Sequence, residues 1–340
     1  GNLPSLTKVL LDNDGVAFAE DNEQRKQKGG ANWNPRLHFV WEKLLSTIIN
    51  GSHSLNVEDK HVSKKRKKNN TIASIKFHEF WQMVVDETYF NDKASSERKY
   101  LGFLIFQKAF PMLKSYEDVV DSLGQNFIRS LINQCSEKKR HLNKIALQTV
   151  EIIVESCEND TTKILPVFET LAFGKSGSIT FDRLSKTKLL SRLLGIKSVR
   201  YEVLSKLFDI LSRQLSIKSE EKSFSQFILD SMLHLVRNHK AEVDSLLLTE
   251  KVLPQIVKLA FFTGDNETLQ EMSKERLFSI LSELNSLHLS ESQEIPQYVV
   301  IKLVQQHIEG GEKMTSELDD ELKETESLAL RIIAEIAKAT

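Results

Sequence analysis

Residues 34–48, NPRLHFVWEKLLSTI, contain the pattern that decides the fold. Asn34 is a favourable N-cap, and Pro35 suits the first turn of a helix. The apolar residues then recur at spacings of three and four, which places on one helical face Leu37, Trp41, Leu44, Leu45 and Ile48. The stretch therefore predicts an amphipathic helix that begins near residue 35 and ends at Gly51.

The same spacing recurs through the rest of the chain. Apolar stripes lie at 77–85 and 100–112, and further candidate helices follow at 115–137, 141–157, 161–172, 186–194, 198–216, 220–238, 241–262, 266–287, 296–308 and 316–339. Suitable caps for four of these helices are Ser115, Asp160, Ser198 and Asn266. The one strand-like fragment, residues 178–181, is too short to build a sheet. The pattern predicts an all-α protein.

The rhythm of the helices predicts their arrangement. Helices start about every 20–25 residues, so helix pairs recur about every 40–47 residues, the range of HEAT and armadillo repeats. Stacked pairs bury the apolar faces that a lone pair leaves exposed. We therefore expect a HEAT/armadillo-like helical-repeat solenoid, which is an α-α superhelix. One compact helical bundle is the alternative.

The predicted organisation has two parts. Residues 1–34 combine a short helix, Leu3–Leu11, with a polar loop, and residues 35–340 form the helical-repeat domain. A basic flexible loop at about 51–71 interrupts this domain, because its five adjacent cations repel each other and bury nothing. The chain begins with Gly rather than Met, and we interpret it as a fragment of a longer chain.

Composition narrows the class of protein. The 340 residues include only 13 Gly and 6 Pro, whereas sandwiches and barrels rich in tight turns need more of both. Cys135 and Cys157 form no framework of paired spacings, which favours a reducing compartment. No stretch approaches the roughly 18 uninterrupted apolar residues of a membrane span, so no membrane partner is expected. The net charge of −1 does not by itself indicate a partner.

Motifs for catalysis, metal binding and cofactor binding are incomplete. Gly174-Lys175-Ser176 resembles the end of a phosphate-binding loop, but Glu169 occupies the position of the motif's first glycine, and we expect a glycine turn between helices. His78 lacks a second histidine one helical turn later, where Gln82 stands. We therefore predict no catalytic residue, no metal, no cofactor and no small-molecule substrate.

The first basic cluster lies in the predicted flexible loop and consists of Lys60, Lys64, Lys65, Arg66, Lys67 and Lys68. Such a run is typical of a nuclear-import signal or of an arm that binds nucleic-acid phosphates. A solvated loop is the alternative. Five consecutive cations exceed what solubility needs, which favours import or nucleic-acid binding.

Two more basic clusters lie among the predicted helices. The second basic cluster occupies a helix junction, where helix capping explains it as well as function does, and consists of Lys138, Lys139, Arg140, His141 and Lys144. The third basic cluster spans residues 183–206. Its candidate phosphate-contacting stripe is Arg183, Lys186, Lys188, Arg192, Lys197 and Arg200. An ordinary solvated helix face is the alternative.

Residues 80–108 resemble a known family. The resemblance rests on FWQMVVDE at 80–87, ASSERKYLGF at 94–103 and FQK at 106–108. These segments are similar to the DNA polymerase V or DNA polymerase phi family, which is Myb-binding protein 1A-like in animals, and most similar to its fungal branch. The resemblance covers residues 35–215 and extends more loosely over the rest. It implies a helical-repeat fold, a much longer full chain, and a nucleolar role in ribosomal RNA production and large-subunit assembly, with association to ribosomal DNA.

The resemblance and the basic clusters lead to three hypotheses. The first is a scaffold of the nucleus and nucleolus in ribosome biogenesis, which binds ribosomal RNA or ribosomal DNA chromatin, and ribosome-assembly or transcription proteins, through charged solenoid surfaces. The second is a pure protein–protein interaction module that acts as a nuclear transcription co-regulator. The third is a DNA polymerase, as the family name states.

We favour the scaffold and predict that the chain is not an enzyme. Nucleotidyl transfer needs carboxylates that hold two metal ions about 4 Å apart on a rigid platform. The chain lacks a D-T-D signature and the strands of a polymerase palm. Its acidic pairs, Asp12 with Asp14 and Asp319 with Asp320, have no strand context.

Overall fold

A computed structural model of the chain describes residues 3–13, 37–55, 76–197, 199–217, 221–239, 251–262, 267–285, 300–306 and 334. Within these ranges the regular structure is helical and no residue is in a β-strand, which confirms the predicted all-α class. The chain divides into two compact units, the first from Gly1 to Leu193 and the second from Leu194 to Thr340.

The described helices of the first unit range from 4 to 17 residues in length, and the segment that carries the first basic cluster lies between the second and the third of them. They are α1 (Leu3–Asn13), α2 (Val40–Leu55), α3 (Phe77–Phe80), α4 (Ser96–Ala109), α5 (Tyr116–Ser122), α6 (Gln125–Cys135), α7 (Asn143–Asn159), α8 (Ile164–Phe173), α9 (Phe181–Ser185) and α10 (Leu189–Leu194). α3 continues directly as a π-helical segment, Trp81–Tyr89.

The second unit contains further helices. They are α11 (Tyr201–Ile217), α12 (Lys222–Asn238), α13 (Leu253–Phe261) and α14 (Glu267–Asn285), and residues 300–306 are also helical. α12 packs on both α11 and α14, and α13 packs on α14. Arg276 on α14 contacts Asp230 on α12 at 2.5 Å, and Arg237 on α12 contacts Glu283 on α14 at 2.8 Å. Ion pairs thus flank the apolar contact between α12 and α14.

Buried aromatic side chains fill the core of the first unit. The ring of Phe106, on α4, stacks on that of Phe127, on α6, with their centroids 4.1 Å apart. Trp81 packs edge-on against Phe106 at 6.3 Å and stacks on Phe77 at 5.2 Å. The indole N–H of Trp81 donates to the carbonyl of Ser122 at 3.0 Å, so the polar edge of the ring is also satisfied. These contacts hold α3, α4 and α6 around one centre.

A buried carboxylate separates α5 from α6. Asp86, in the π-helical segment, accepts hydrogen bonds from the backbone N–H groups of Phe127 at 2.8 Å and Asn126 at 3.2 Å, in the first turn of α6. Burial raises the pKa of Asp86 above its ordinary value in spite of these donors. A Cβ atom at Gly124 would lie 2.3 Å from Asp86 Oδ1. The continuous helix predicted over 115–137 is therefore wrong, and the chain breaks at Leu123 and Gly124.

The bounds of α2 also differ from the prediction. Residues 37 and 38 are not helical, and α2 begins at Val40, later than the expected start near residue 35. The predicted cap, Asn34, and Pro35 lie outside the described residues. α2 continues past Gly51 to Leu55. A glycine weakens a helix but does not necessarily end it.

Several other predictions are confirmed. α7, α11 and α12 match the helices predicted over 141–157, 198–216 and 220–238. The side chain of Ser115 accepts from the N–H of Asp118 at 3.0 Å, and that of Asp160 accepts from the N–H of Thr162 at 3.2 Å, so both act as caps. Ser198, Asn266 and the predicted helix over 316–339, apart from residue 334, lie outside the described residues.

The strand-like fragment at residues 178–181 forms a turn that leads into α9. The Ser178 N–H donates to the carbonyl of Leu171 at 2.8 Å, and the Ser178 side chain accepts from the N–H of Thr180 at 3.1 Å. The expected glycine turn at Gly174 is confirmed, since the N–H of Gly177 donates to the carbonyl of Gly174 at 2.9 Å.

Candidate nucleic-acid interface

The turn between α9 and α10 carries the first part of the third basic cluster. Asp182 accepts hydrogen bonds from the N–H of Leu190 at 2.9 Å and from the N–H and hydroxyl of Ser191 at 3.1 and 2.9 Å. It therefore caps α10 from a neighbouring helix. The hydroxyl of Ser185 lies 2.7 Å from that of Thr187 and donates to the carbonyl of Phe181 at 2.8 Å. Local hydrogen bonds thus fix the backbone from which the basic side chains project.

Three cations project from α9 and from the fixed turn that follows it. Arg183, Lys186 and Lys188 are exposed, and none of them forms an ion pair within the described part of the chain. Lys186 has a φ of 54°, in the left-handed region, where a side chain costs roughly 1 kcal/mol relative to glycine. A lysine at this position is therefore not explained by backbone stability. The turn presents fixed positive charges that are free to meet an anion.

Arg192 is placed differently from these three. Its guanidinium donates to both carboxylate oxygens of Glu151, on α7, each at 2.7 Å. This bidentate contact lowers the pKa of Glu151 and raises that of Arg192. The contact joins α10 to α7. Because the guanidinium already has a carboxylate partner, Arg192 positions the turn rather than offering an open charge.

The remaining residues of the candidate stripe lie in the second unit. Lys197 and Arg200 precede α11 and are exposed, and Lys206, within α11, is exposed too. None of the three has an ion pair with a residue that the structure describes. Arg183 to Arg192 belong to the first unit, so the full stripe from 183 to 200 stays a prediction as a single surface.

The second basic cluster is also at the surface. It occupies the connection between α6 and the first turn of α7, as the sequence predicted, and all five of its side chains are exposed: Lys138, Lys139, Arg140, His141 and Lys144. The only ion pair of the cluster with a described residue joins Arg140 to Glu137 at 3.9 Å. The first basic cluster, with Lys60 and Lys64–Lys68, lies outside the described residues and stays a prediction.

Sequence reasoning missed the residues that set this geometry. Asp182 and Glu151 are ordinary acidic positions in the sequence, yet one caps α10 and the other holds Arg192 from 41 residues away. The heptad-like exposure of α7, with polar residues on its outer face, is the one signal that places Glu151 at the surface. No spacing in the sequence pairs it with Arg192.

The described residues offer little for covalent or metal chemistry. They contain no group of three or more His, Cys, Asp or Glu side chains arranged to hold a metal ion. His78 instead contacts Asp121 at 2.9 Å. Burial raises the pKa of Cys135 and of Cys157 to about 12, which keeps both thiols protonated at neutral pH. Among the described helices, none is long and apolar enough to cross a membrane.

Comparison with known sequences settles the family. The protein family described as DNA polymerase phi matches the chain over residues 1–340. The chain belongs to the DNA polymerase phi family. The family resemblance inferred from residues 80–108 is thus confirmed, and so is the fungal branch, by the relatives described next.

Two fungal relatives of this DNA polymerase phi family chain are named as transcriptional regulators. The rDNA transcriptional regulator POL5 of Saccharomyces cerevisiae is 42% identical over 357 residues, which cover 100% of this chain and 34% of that protein. The rDNA transcriptional regulator pol5 of Schizosaccharomyces pombe is 26% identical over 311 residues, which cover 86% of this chain and 29% of that protein. The chain therefore spans about a third of the length of these relatives. No solved structure matches the chain.

The segment that carries the family resemblance belongs to the core of the DNA polymerase phi chain. Trp81, Val84 and Val85 are buried, and Asp86 caps α6. Ser95 caps α4 by accepting from the N–H of Arg98 at 3.3 Å. These residues of the family segment thus hold the fold, and the basic clusters lie elsewhere.

Proposed function

We propose that the chain is a binding scaffold that acts in ribosome biogenesis in the nucleus and nucleolus, where it contacts the phosphates of ribosomal DNA chromatin or ribosomal RNA and also ribosome-assembly or transcription proteins. The observation that carries the proposal is a group of three exposed cations on α9 and the fixed turn that follows it. These are Arg183, Lys186 and Lys188, and none has an ion-pair partner among the described residues. Phosphate contacts of this kind position a protein on nucleic acid without reading base sequence.

The names of the relatives support a role at ribosomal DNA. Both are named rDNA transcriptional regulators, and neither name denotes a polymerase. We accordingly propose no catalytic activity for this chain. Its function is to bind and to hold partners, and the first basic cluster, Lys60 with Lys64–Lys68, adds either a nuclear-import signal or further phosphate contacts.

The all-helical fold suits a scaffold. We propose that its helices stack as HEAT/armadillo-like pairs within residues 35–340, because successive helices such as α6 and α7, or α11 and α12, pack on each other. A stack of this kind buries a continuous core and leaves long exposed ridges. Such ridges offer large polyanions and proteins a contact area that a single compact site does not.

Binding of nucleic acid at two salt concentrations tests the proposal. The purified chain is titrated with a labelled DNA duplex and with a structured RNA at 50 and 200 mM salt. The proposal requires binding that weakens steeply with salt, with log K falling by about 0.9 per log unit of salt for each phosphate contact on duplex DNA. The triple variant Arg183→Gln, Lys186→Gln and Lys188→Gln lowers that slope by about 3 in total.

A matched variant removes three cations elsewhere in the same unit. These cations are exposed and have no ion pair with a described residue. Lys43 lies on α2, Lys93 precedes α4 and Lys114 precedes α5. Changing all three to Gln alters the net charge by the same amount and leaves the slope nearly unchanged. Absence of nucleic-acid binding at low salt, with partner proteins still retained from the nucleolus, would favour the pure protein-interaction module instead.

A further inference from the structure

The second basic cluster carries charge that the folded chain does not use. Lys138, Lys139, His141 and Lys144 are exposed and make no ion pair within the described residues. Arg140 lies 3.9 Å from Glu137, a distance at which an exposed pair contributes little. Four formal cations in seven residues also repel one another, so the cluster needs an explanation other than internal pairing.

Helix capping does not supply that explanation. The amide of Asn143 donates to the carbonyls of Gln134 at 2.9 Å and Cys135 at 3.3 Å. The hydroxyl of Ser136 donates to the backbone carbonyl of Asn133 at 2.8 Å. The last carbonyls of α6 are thus satisfied by neutral side chains. No hydrogen bond in the described structure runs from a cation of the cluster to the end of α6.

The helix that follows makes these charges less favourable still. Lys144 lies in the first turn of α7, and Lys138 to His141 directly precede that turn. Backbone N–H groups at a helix N-terminus carry partial positive charge, so cations are disfavoured there. Lys144, inside the first turn of α7, is therefore unfavourable for the stability of that helix.

The cluster lies on the same side of α7 as the turn between α9 and α10. Lys144 and Glu151 are seven residues apart, which puts them on one face of α7, separated by about 10 Å along its axis. Glu151 holds Arg192 on α10, and the carbonyl of Lys188 accepts from the N–H of Arg192 at 2.8 Å. α7 therefore connects both groups of open cations across one exposed face of the first unit.

From these contacts we propose that the second basic cluster is a phosphate-binding site for duplex DNA, and that it extends the surface formed by Arg183, Lys186 and Lys188. The choice of duplex DNA rests on the proposed function, because the relatives are named for ribosomal DNA. The cluster consists of exposed basic side chains, which suit a regular array of phosphates. Contacts at both ends of the exposed face of α7 orient the duplex across it.

The test uses the whole chain and a charge-matched pair of variants. One variant carries Lys138→Gln, Lys139→Gln and Lys144→Gln, and the other carries Lys43→Gln, Lys93→Gln and Lys114→Gln. Affinities for a 30-base-pair duplex and for a structured RNA are measured between 50 and 200 mM salt, and thermal unfolding confirms that both variants fold. We expect the first variant to bind about tenfold or more weakly at low salt, with its salt slope reduced by 2 to 3, whereas the second keeps the affinity of the unmodified chain.

The outcomes separate this proposal from the proposed function. If the unmodified chain binds the duplex and the 138/139/144 variant binds it equally well with the same salt slope, the second cluster is not a contact, although the scaffold function stands. Equal losses in both variants would show that only net charge matters and would also overturn the site. A loss confined to structured RNA would overturn the assignment to DNA. If the unmodified chain binds no nucleic acid at all, the proposed function fails first.

Discussion

At the scale of single residues, two glycines have opposite roles. Gly51 lies within α2, and a Cβ atom there would meet nothing within 4 Å. Gly124 precedes α6, and a Cβ atom there would meet the carboxylate of Asp86 at 2.3 Å. The first glycine is a weak point of a helix. The second is required by the close approach of a capping side chain.

This contrast predicts opposite effects for the same substitution. Gly124→Ala forces Asp86 away from the N–H groups of Phe127 and Asn126, so we expect the free energy of unfolding to fall by about 1–3 kcal/mol. Gly51→Ala removes backbone freedom from the unfolded chain and therefore raises the free energy of unfolding by about 0.5–1 kcal/mol. Urea denaturation of both variants measures the difference. A stable Gly124→Ala protein would mean that Asp86 does not cap α6.

At the scale of elements, the sequence predicted most helices but not the interactions that end them. The apolar spacing located α7, α11 and α12, because a stripe facing the core is a local property of the sequence. The same spacing wrongly predicted one continuous helix in place of α5 and α6. The carboxylate that caps the start of α6 belongs to Asp86, 40 residues earlier, and a local pattern does not reveal it. The π-helical form of Trp81–Tyr89 likewise has no signature in apolar spacing.

The candidate interface shows the same limit. The sequence located the cations at 183–188 and at 138–144, since charge is written directly in the residues. It left capping open for the second cluster, and the structure shows that the side chain of Asn143, rather than a cation of the cluster, donates to the last carbonyls of α6. From the sequence, Arg192 and Lys188 are equal candidates for phosphate contacts, because no local pattern reveals that Arg192 pairs with Glu151 on α7.

The pair between α7 and α10 supplies a prediction with a defined pH dependence. Arg192 lowers the pKa of Glu151 below its ordinary value of 4.5, so the folded chain binds fewer protons there than the unfolded chain. The stabilisation is therefore complete above about pH 4.5 and is lost as the pH falls through the folded pKa. The pair is partly exposed, with side-chain exposures of 39% and 54%, and solvent screening limits its contribution to about 0.2–1 kcal/mol. Glu151→Gln lowers the stability by this amount at pH 7, and the difference between the two proteins shrinks as the pH falls below 4.5.

The same substitution acts on the interface in the opposite direction. Glu151→Gln releases Arg192 and removes a negative charge beside the phosphate-contacting turn, so we expect duplex affinity at low salt to rise about threefold. Glu155→Gln is the matched control, since Glu155 is exposed on α7 and has no ion pair with a described residue. An equal rise in both variants would show that Arg192 gains nothing from losing its partner.

At the scale of the whole molecule, the basic clusters differ in the roles that they can have. The second and third clusters lie at helix ends and in the short connections between described helices. The first cluster has five consecutive cations, the composition of an import signal as well as of a phosphate-binding arm. Import requires recognition of the run by a transport receptor, whereas phosphate binding requires only its charge. The two roles therefore respond differently to the same change.

Replacing Lys64–Lys68 with Gln separates the two roles. In cells, loss of import leaves a fluorescently tagged chain in the cytoplasm, and an unrelated import signal added to the tag restores nuclear entry. With entry restored, we expect nucleolar retention to persist, because Arg183, Lys186 and Lys188 are intact. The purified variant should then keep most of its duplex affinity at 100 mM salt. Nuclear entry unaffected by the replacement, together with a salt slope reduced by about four or five, would instead assign the first cluster to phosphate binding and leave import to another segment.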